Sequence, residues 1–247
     1  MLVENNSGNY TFVRGIGPFS AGVIAQPGFE IVHVRFLPLI ALNEGYVRIE
    51  RQLRDVKRPL EAICGMELRI PAVLSREAFD EFNRPYIDQL KTWGLEVAGA
   101  NPVTRTNVAF ETSVLSKPML AGFYYTTPSI VPRETFVLSG VPEIASRDGS
   151  IKIVARGDTS VEGMRQKLEC ILQVLSTHLS EMKLNWQMAT AVNVYSVFDV
   201  YPLFSQLLLP ELGAASHAGI TWYYARPPVN GLELEMDVRA VRTELVL

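Results

Sequence analysis

Cysteine is nearly missing from this 247-residue chain: Cys64 and Cys170 are the only two. Two cysteines make no disulfide framework, so the fold has to rest on its core. Both fall in helical patterns and read as small buried residues, with a single disulfide left open. Histidine is as scarce. His33, His178 and His217 are not spaced as metal ligands and no Cys/His cluster exists, so no metal is expected. Long apolar runs are absent too, none approaching the roughly 18 residues that cross a bilayer. The opening residues, MLVENNSGNY, lack the charged-then-apolar order of a secretory signal. A cytoplasmic protein without a membrane partner is the expectation. Clustered positive charge is lacking as well. With 23 Lys and Arg against 26 Asp and Glu, the net charge is −3, which argues against a nucleic-acid partner. The GIG at residues 15–17 has neither the helix nor the third glycine of a dinucleotide loop, and no nucleophile elbow occurs.

What the chain does have is apolar residues, 48%, and only 20% charged ones, enough for a sizeable core in one large domain or two ordinary ones. The N-terminal half opens with strand-like segments, YTFVRG, PFSAGVIA and FEIVHVRFL. Tyr46, Ile49, Leu53, Val56, Leu60 and Ile63 then repeat at helical spacing, with Pro59 set to bend or break that helix. MELRIPAVL reads as a strand. Ser75 is an N-cap candidate for a helix carrying Phe79, Phe82, Tyr86, Leu90 and Trp93, which Gly94 closes. TNVAFET and MLAGFYYTT are the last strands of this half.

The C-terminal half repeats the order, about 115 residues on. ETFVLSGVPEI and SIKIVARG read as strands, Met164 to Met182 as a helix, and MATAVNVYSV as a strand. Asp199 caps a short helix with Leu203, Phe204 and Leu207, and ITWYYARP and LELEMDVRAV close the module. Two copies of β-β-β-α-β-α-β-β imply an internal duplication, with a linker at residues 126–134. The expected domains are 1–127 and 134–247, each an α+β module of one mixed sheet with two helices on one face. The other sheet face also reads as apolar, as Ile220, Trp222 and Tyr224 illustrate, and needs sheet-to-sheet cover within the chain or between chains.

Within NPVTRTNVAFE, residues 101–111, Arg105 stands at the mouth of a strand with nothing nearby in sequence to neutralise it. It is either a solvated strand-end charge or a fork held out to a carboxylate. Asn193 and Tyr195 lie in a strand that reads as buried, and are taken as structural.

The order of these segments resembles the RidA/YjgF family of reactive-intermediate deaminases, also described as "endoribonuclease L-PSP". FVLSGVPEI resembles the family's Ser-Gly strand, here Ser139 and Gly140. MRQKLECILQVLSTHL resembles its first helix, and NWQMATAVNVYSVFDVYPLF the strand and helix that follow. LELEMDVRAV resembles its closing strand, with Glu235 at the glutamate position, and TRTNVAFE the strand led by its arginine. The resemblance spans roughly residues 10 to 245 and implies two tandem Rid-like, chorismate-mutase-like modules. It also implies a hydrolytic deaminase: Arg105 grips the carboxylate of an imine or enamine acid, water attacks the C=N carbon, and ammonia leaves. An imine is already electrophilic, so no cofactor is implied.

The site residues implied are Arg105, Glu235 and His217 as catalytic, and Ser139, Gly140 and Arg105 as substrate-binding. His217 stands where the second half should carry its arginine, and the first half has Leu120 where the glutamate should be. Arg105 and Glu235 are thus split between the halves. Either they form a composite site, or the chain is a non-catalytic module that holds a small carboxylate ligand or a partner protein. Since the family closes three modules around a central barrel, a two-module chain satisfies that symmetry as a homotrimer. Light scattering in solution should give the mass of three chains; a stable monomer would rule the trimer out.

Overall fold

The computed structural model describes residues 2–15, 17–112, 114–147 and 150–247; Ile16, inside the discounted GIG, lies outside them. Strands β1 (Leu2–Asn5), β2 (Tyr10–Val13), β3 (Gly22–Ala25) and β4 (Phe29–Ala41) lead into helix α1 (Leu42–Asp55). Then come β5 (Ile63–Ile70), α2 (Arg76–Thr92), β6 (Thr104–Phe110) and β7 (Met119–Pro128). Past the middle lie β8 (Phe136–Leu138), β9 (Val141–Pro142), β10 (Ile144–Arg147), β11 (Ser150–Ile153), α3 (Val161–Glu181) and β12 (Ala191–Tyr195). Short helices α4 (Tyr201–Leu203) and α5 (Leu209–Leu212) flank a π-turn. The last strands are β13 (Thr221–Tyr223), β14 (Ala225–Arg226), β15 (Glu235–Ala240) and β16 (Thr243–Val246).

The architecture is mixed α+β, and both large sheets are mixed. One runs β1-β2-β3-β8-β15-β12-β13, with β9 also on β15; the other runs β14-β6-β5-β7-β4-β16; β10 and β11 form a hairpin. Each half lends strands to the other. Strand β3 pairs with β8, tying the first three strands into the sheet of the C-terminal half. In return β16 pairs in parallel with β4, and β14 pairs with β6. Thr126, expected in a linker, is a fully buried residue of β7.

Local chemistry sets the element ends. α1 buries Tyr46, Ile49 and Leu53 and stops at Asp55, earlier than its apolar spacing suggests. Lys57 has a left-handed φ of 56°, Pro59 follows, and Ile63 opens β5 instead of continuing the helix. α2 starts where the Ala78 N–H donates to Ser75 Oγ at 3.1 Å, and Gly94, at φ 69°, turns the chain away after it. Asp199 Oδ1 accepts from the Tyr201 N–H at 3.0 Å, opening α4.

Alternation assigns the sheet faces. Val32, Val34, Met66, Leu68, Phe123 and Tyr125 pack with residues of α1 and α2 in one core. Val192, Val194, Met236 and Val238 pack with α3 in another. The opposite faces of the two sheets meet each other, through Tyr10, Phe12, Val23, Ile31, Cys64, Tyr124 and Val137 at one end and Val108, Tyr195 and Ala225 at the other. The second face is therefore covered within the chain. Its phase in β13 is opposite to the expectation: Trp222 and Tyr224 are largely exposed, while Tyr223 stacks on Tyr195 at 4.9 Å.

The middle of that inter-sheet layer is charged. Glu67 meets His33 Nε2 at 3.1 Å and Arg69 at 3.5 Å, and accepts a hydrogen bond from the Tyr124 hydroxyl. Across the layer, Asp237 accepts from Thr106 Oγ1 at 2.9 Å, Asn193 Nδ2 at 2.8 Å and the Tyr195 hydroxyl at 2.8 Å. Burial alone would raise Glu67, but His33, Arg69 and Arg239 outweigh it and hold the carboxylate well below its usual range. Replacing Asp237 by Ala strands three buried donors at once. Its unfolding free energy should fall by roughly 3–5 kcal/mol, read from the denaturant midpoint, with Asp237→Asn losing less.

Candidate active site

Arg105 is the second residue of β6, on the half of that strand not covered by β14. Its backbone is fixed from the other half of the chain: its N–H donates to Ser139 Oγ at 2.9 Å, and its carbonyl accepts from the Gly140 N–H at 3.2 Å. The Ser139 hydroxyl in turn donates to the Ser20 carbonyl. Ser139 and Gly140 were expected to offer hydrogen bonds to a ligand; they spend them on the strand that carries the arginine.

The Arg105 side chain is buried, 3% exposed, yet among the described residues neither Nη1 nor Nη2 makes a hydrogen bond. It is held by rings instead. Its guanidinium carbon lies 4.7 Å from the Tyr86 ring, 4.9 Å from Phe19 and 5.5 Å from Phe79. Burial lowers its pKa, partly offset by Tyr86 and Glu235, and a guanidinium so placed stays cationic. A strand-end charge in solvent is ruled out by its burial.

Glu235 begins β15 and is 3% exposed. Its carboxyl lies against Gly140: a Cβ built on that glycine would sit 2.0 Å from Glu235 Oε1, so only glycine leaves the carboxyl its place. Burial, and the neighbouring Asp237 and Glu143, push Glu235 well above the usual carboxylate range, while Arg105 and Arg69 pull the other way. Burial thus favours the protonated form of this carboxyl.

The Arg105 backbone from one half thus meets Ser139 and Gly140 from the other, and Glu235 packs on Gly140; the Arg105 side chain turns to the α2 rings while Glu235 lies on the inter-sheet face with Asp237, the two coupled through charge. His217 does not join them. It is exposed in the 3-10 turn Gly213–Ala218, and among the described residues no hydrogen bond or ion pair ties it to this cluster. The large groove of about 740 Å³ between α3 and α5 is elsewhere as well. Glu169, Glu181 and Glu211 line it and no cation does, which is the wrong charge for a carboxylate.

A family model described as 2-aminomuconate deaminase CnbZ matches residues 2–245. This chain belongs to that deaminase family. A 2-amino-5-chloromuconate deaminase of Comamonas testosteroni is 37% identical over 248 residues, covering 97% of this chain and 96% of that protein. Among solved structures, a chorismatase superposes with a TM-score of 0.53 at 11% identity, over 97% of this chain and 78% of its own, a likeness of fold alone. A Thermotoga maritima protein described as a candidate endoribonuclease gives a TM-score of 0.35 at 18% identity, over 44% of this chain and 79% of that one, too low to weigh.

Sequence reading missed several residues around this cluster. Phe79, Asn83 and Tyr86 form one stripe of α2, at i, i+4 and i+7. Asn83, 4% exposed, was legible as a polar intrusion in that apolar stripe. Glu143 was not legible. It is fully buried, accepts from the backbone N–H groups of Glu233 at 2.6 Å and Leu234 at 3.2 Å, and is raised to about 7, chiefly by burial. Its folded pKa lies above its unfolded one, so the native state holds an extra proton between them and stability must fall as pH rises through that window. Relative to Glu143→Gln, the wild type should lose on the order of 3 kcal/mol between about pH 4.5 and pH 7, measured by denaturation at several pH values.

Proposed function

We propose that this protein is a hydrolytic deaminase of a 2-aminomuconate-type substrate, an enamine that tautomerises to an imine, and that it needs no cofactor. The observation that carries the reading is the buried Arg105 guanidinium, whose Nη1 and Nη2 have no hydrogen-bond partner among the described residues, in one cluster with the buried Glu235, a carboxyl pushed above its usual range. A guanidinium offers two parallel donors, which match the carboxylate next to the amino-bearing carbon and fix its orientation. Taking that carboxylate also neutralises a charge that is otherwise costly to bury.

Glu235 then supplies the proton chemistry. As an acid it protonates the enamine carbon, giving the iminium and becoming a carboxylate next to Arg105. As a base it takes a proton from the water that attacks C2. Glu235 passes that proton to the amino nitrogen, ammonia leaves as the hydroxyl oxygen closes the C2 ketone, and the hydroxyl proton returns to Glu235 as the acid of the next cycle. One water is consumed, one C–N bond breaks and one C=O bond forms, with no redox change. Ser139 and Gly140 act through β6 by holding Arg105 in place, and Gly140 also leaves room for Glu235. His217 has no part in this reading. The two-module origin belongs to the same proposal, with the site at the junction of the halves.

Ammonia release from 2-aminomuconate generated in situ tests it. Arg105→Ala and Glu235→Gln should each reduce kcat/KM by about 10²-fold or more. Because the first step uses the protonated form of Glu235, the wild-type rate should fall on the alkaline side as that carboxyl ionises. A wild type that releases no ammonia above buffer would overturn the reading.

A further inference from the structure

Arg105 is not the only buried group without a partner on its side of β6. Asn107 is 3% exposed, and among the described residues both its Nδ2 and its Oδ1 lack a hydrogen bond. Asn83 Oδ1 and the Tyr86 hydroxyl, on the facing stripe of α2, make none either. A buried amide with neither end satisfied costs free energy that an apolar residue would not, so its presence asks for a ligand. Strand alternation gives the geometry. Thr106, between Arg105 and Asn107, points the other way to bond Asp237, so Arg105 and Asn107 share the α2 side. Their register partners Met66 and Leu68 both belong to the α2-side core.

Residues two apart on a strand are spaced by about 7 Å. The two carboxyl carbons of an extended six-carbon dienedioate are roughly 6 Å apart, five carbon–carbon bonds end to end. We propose that Asn107 is a second substrate contact, the residue that receives the far carboxylate of a dicarboxylate whose near carboxylate is on Arg105. It is a specificity residue: its Nδ2 donates to that carboxylate, and the Tyr86 and Phe79 rings of α2 give the flat diene an apolar wall. The inference rests on the proposed function for the placement of the near carboxylate only.

Two unreactive probes separate the ends of the molecule. trans,trans-Muconate carries both carboxylates, and sorbate is the same diene with a methyl group in place of the far one. By calorimetry, wild type should prefer muconate on the order of ten- to a hundredfold, the worth of hydrogen bonds to a charged group. Asn107→Ala should erase that preference by weakening muconate to the level of sorbate, leaving sorbate unchanged. Asn107→Asp should push muconate below sorbate, since it sets a carboxylate against a carboxylate. Arg105→Ala should weaken both probes. Because the Asn107 amide has no hydrogen-bond partner among the described residues, Asn107→Ala should melt close to wild type, and thermal unfolding checks this.

No preference for muconate in wild type, a preference that survives Asn107→Ala, or an equal loss for both probes would overturn the assignment. The two proposals fail separately. An Asn107-dependent preference without ammonia release keeps this subsite and removes the deaminase. Ammonia release with an Asn107-independent preference does the reverse.

Discussion

Everything in this molecule hangs on the charged layer between its two sheets. Glu67 and Asp237 face Arg69, Arg239 and His33, all drawn from strands in the middle of the chain's two sheets. An apolar sandwich tolerates sliding and repacking, whereas a set of buried charges is stable only in the register that pairs each of them. Asp237 illustrates the constraint: its three donors come from β6, β12 and β12 again, so one carboxylate ties the edge of one sheet to the centre of the other. The same contact sets the line of β6, because Thr106 is the residue anchored and Arg105 and Asn107 are its neighbours.

That arrangement explains how an arginine is kept ready for a ligand. Its strand is held at the backbone by Ser139 and Gly140, and by Thr106 from the opposite face, so the side chain is left with no structural duty. The aromatic rings around it restrict its position without using its donors. Preorganisation here comes from separating the two tasks: hydrogen bonds place the main chain and π-faces place the head group.

Much of this was legible in the sequence, for identifiable reasons. Helix and strand periods gave the elements, because one face of each is buried in an apolar core, and Ser75, Asp199 and Gly94 act where their side chains or lack of one require. The resemblance marked Arg105, Ser139, Gly140 and Glu235, and the fold brings those four together. What periodicity does not reveal is which face meets which partner. In β13 it is Tyr223 that points inward, since that edge strand follows the phase of β12 and not of the more hydrophobic Trp222. The end of α1 was misjudged because Leu60 and Ile63 fall on its stripe by coincidence, while Lys57 and Pro59 decide the backbone. The roles of Ser139 and Gly140 are contacts between distant segments, and no local pattern encodes those.

The exchange of strands between the halves has a bearing on how the chain is made. The outer edge of β4 is covered by β16, whose residues are about two hundred positions later. Until Thr243–Val246 have been made, the edge of β4 at Val32–Arg35 stays open, the kind of edge that recruits strands from other molecules. The early strands β1 to β3 likewise wait for β8, more than a hundred residues on. Neither half can finish first, so the nascent chain has no completed unit to rest on until the strands of both halves have been made.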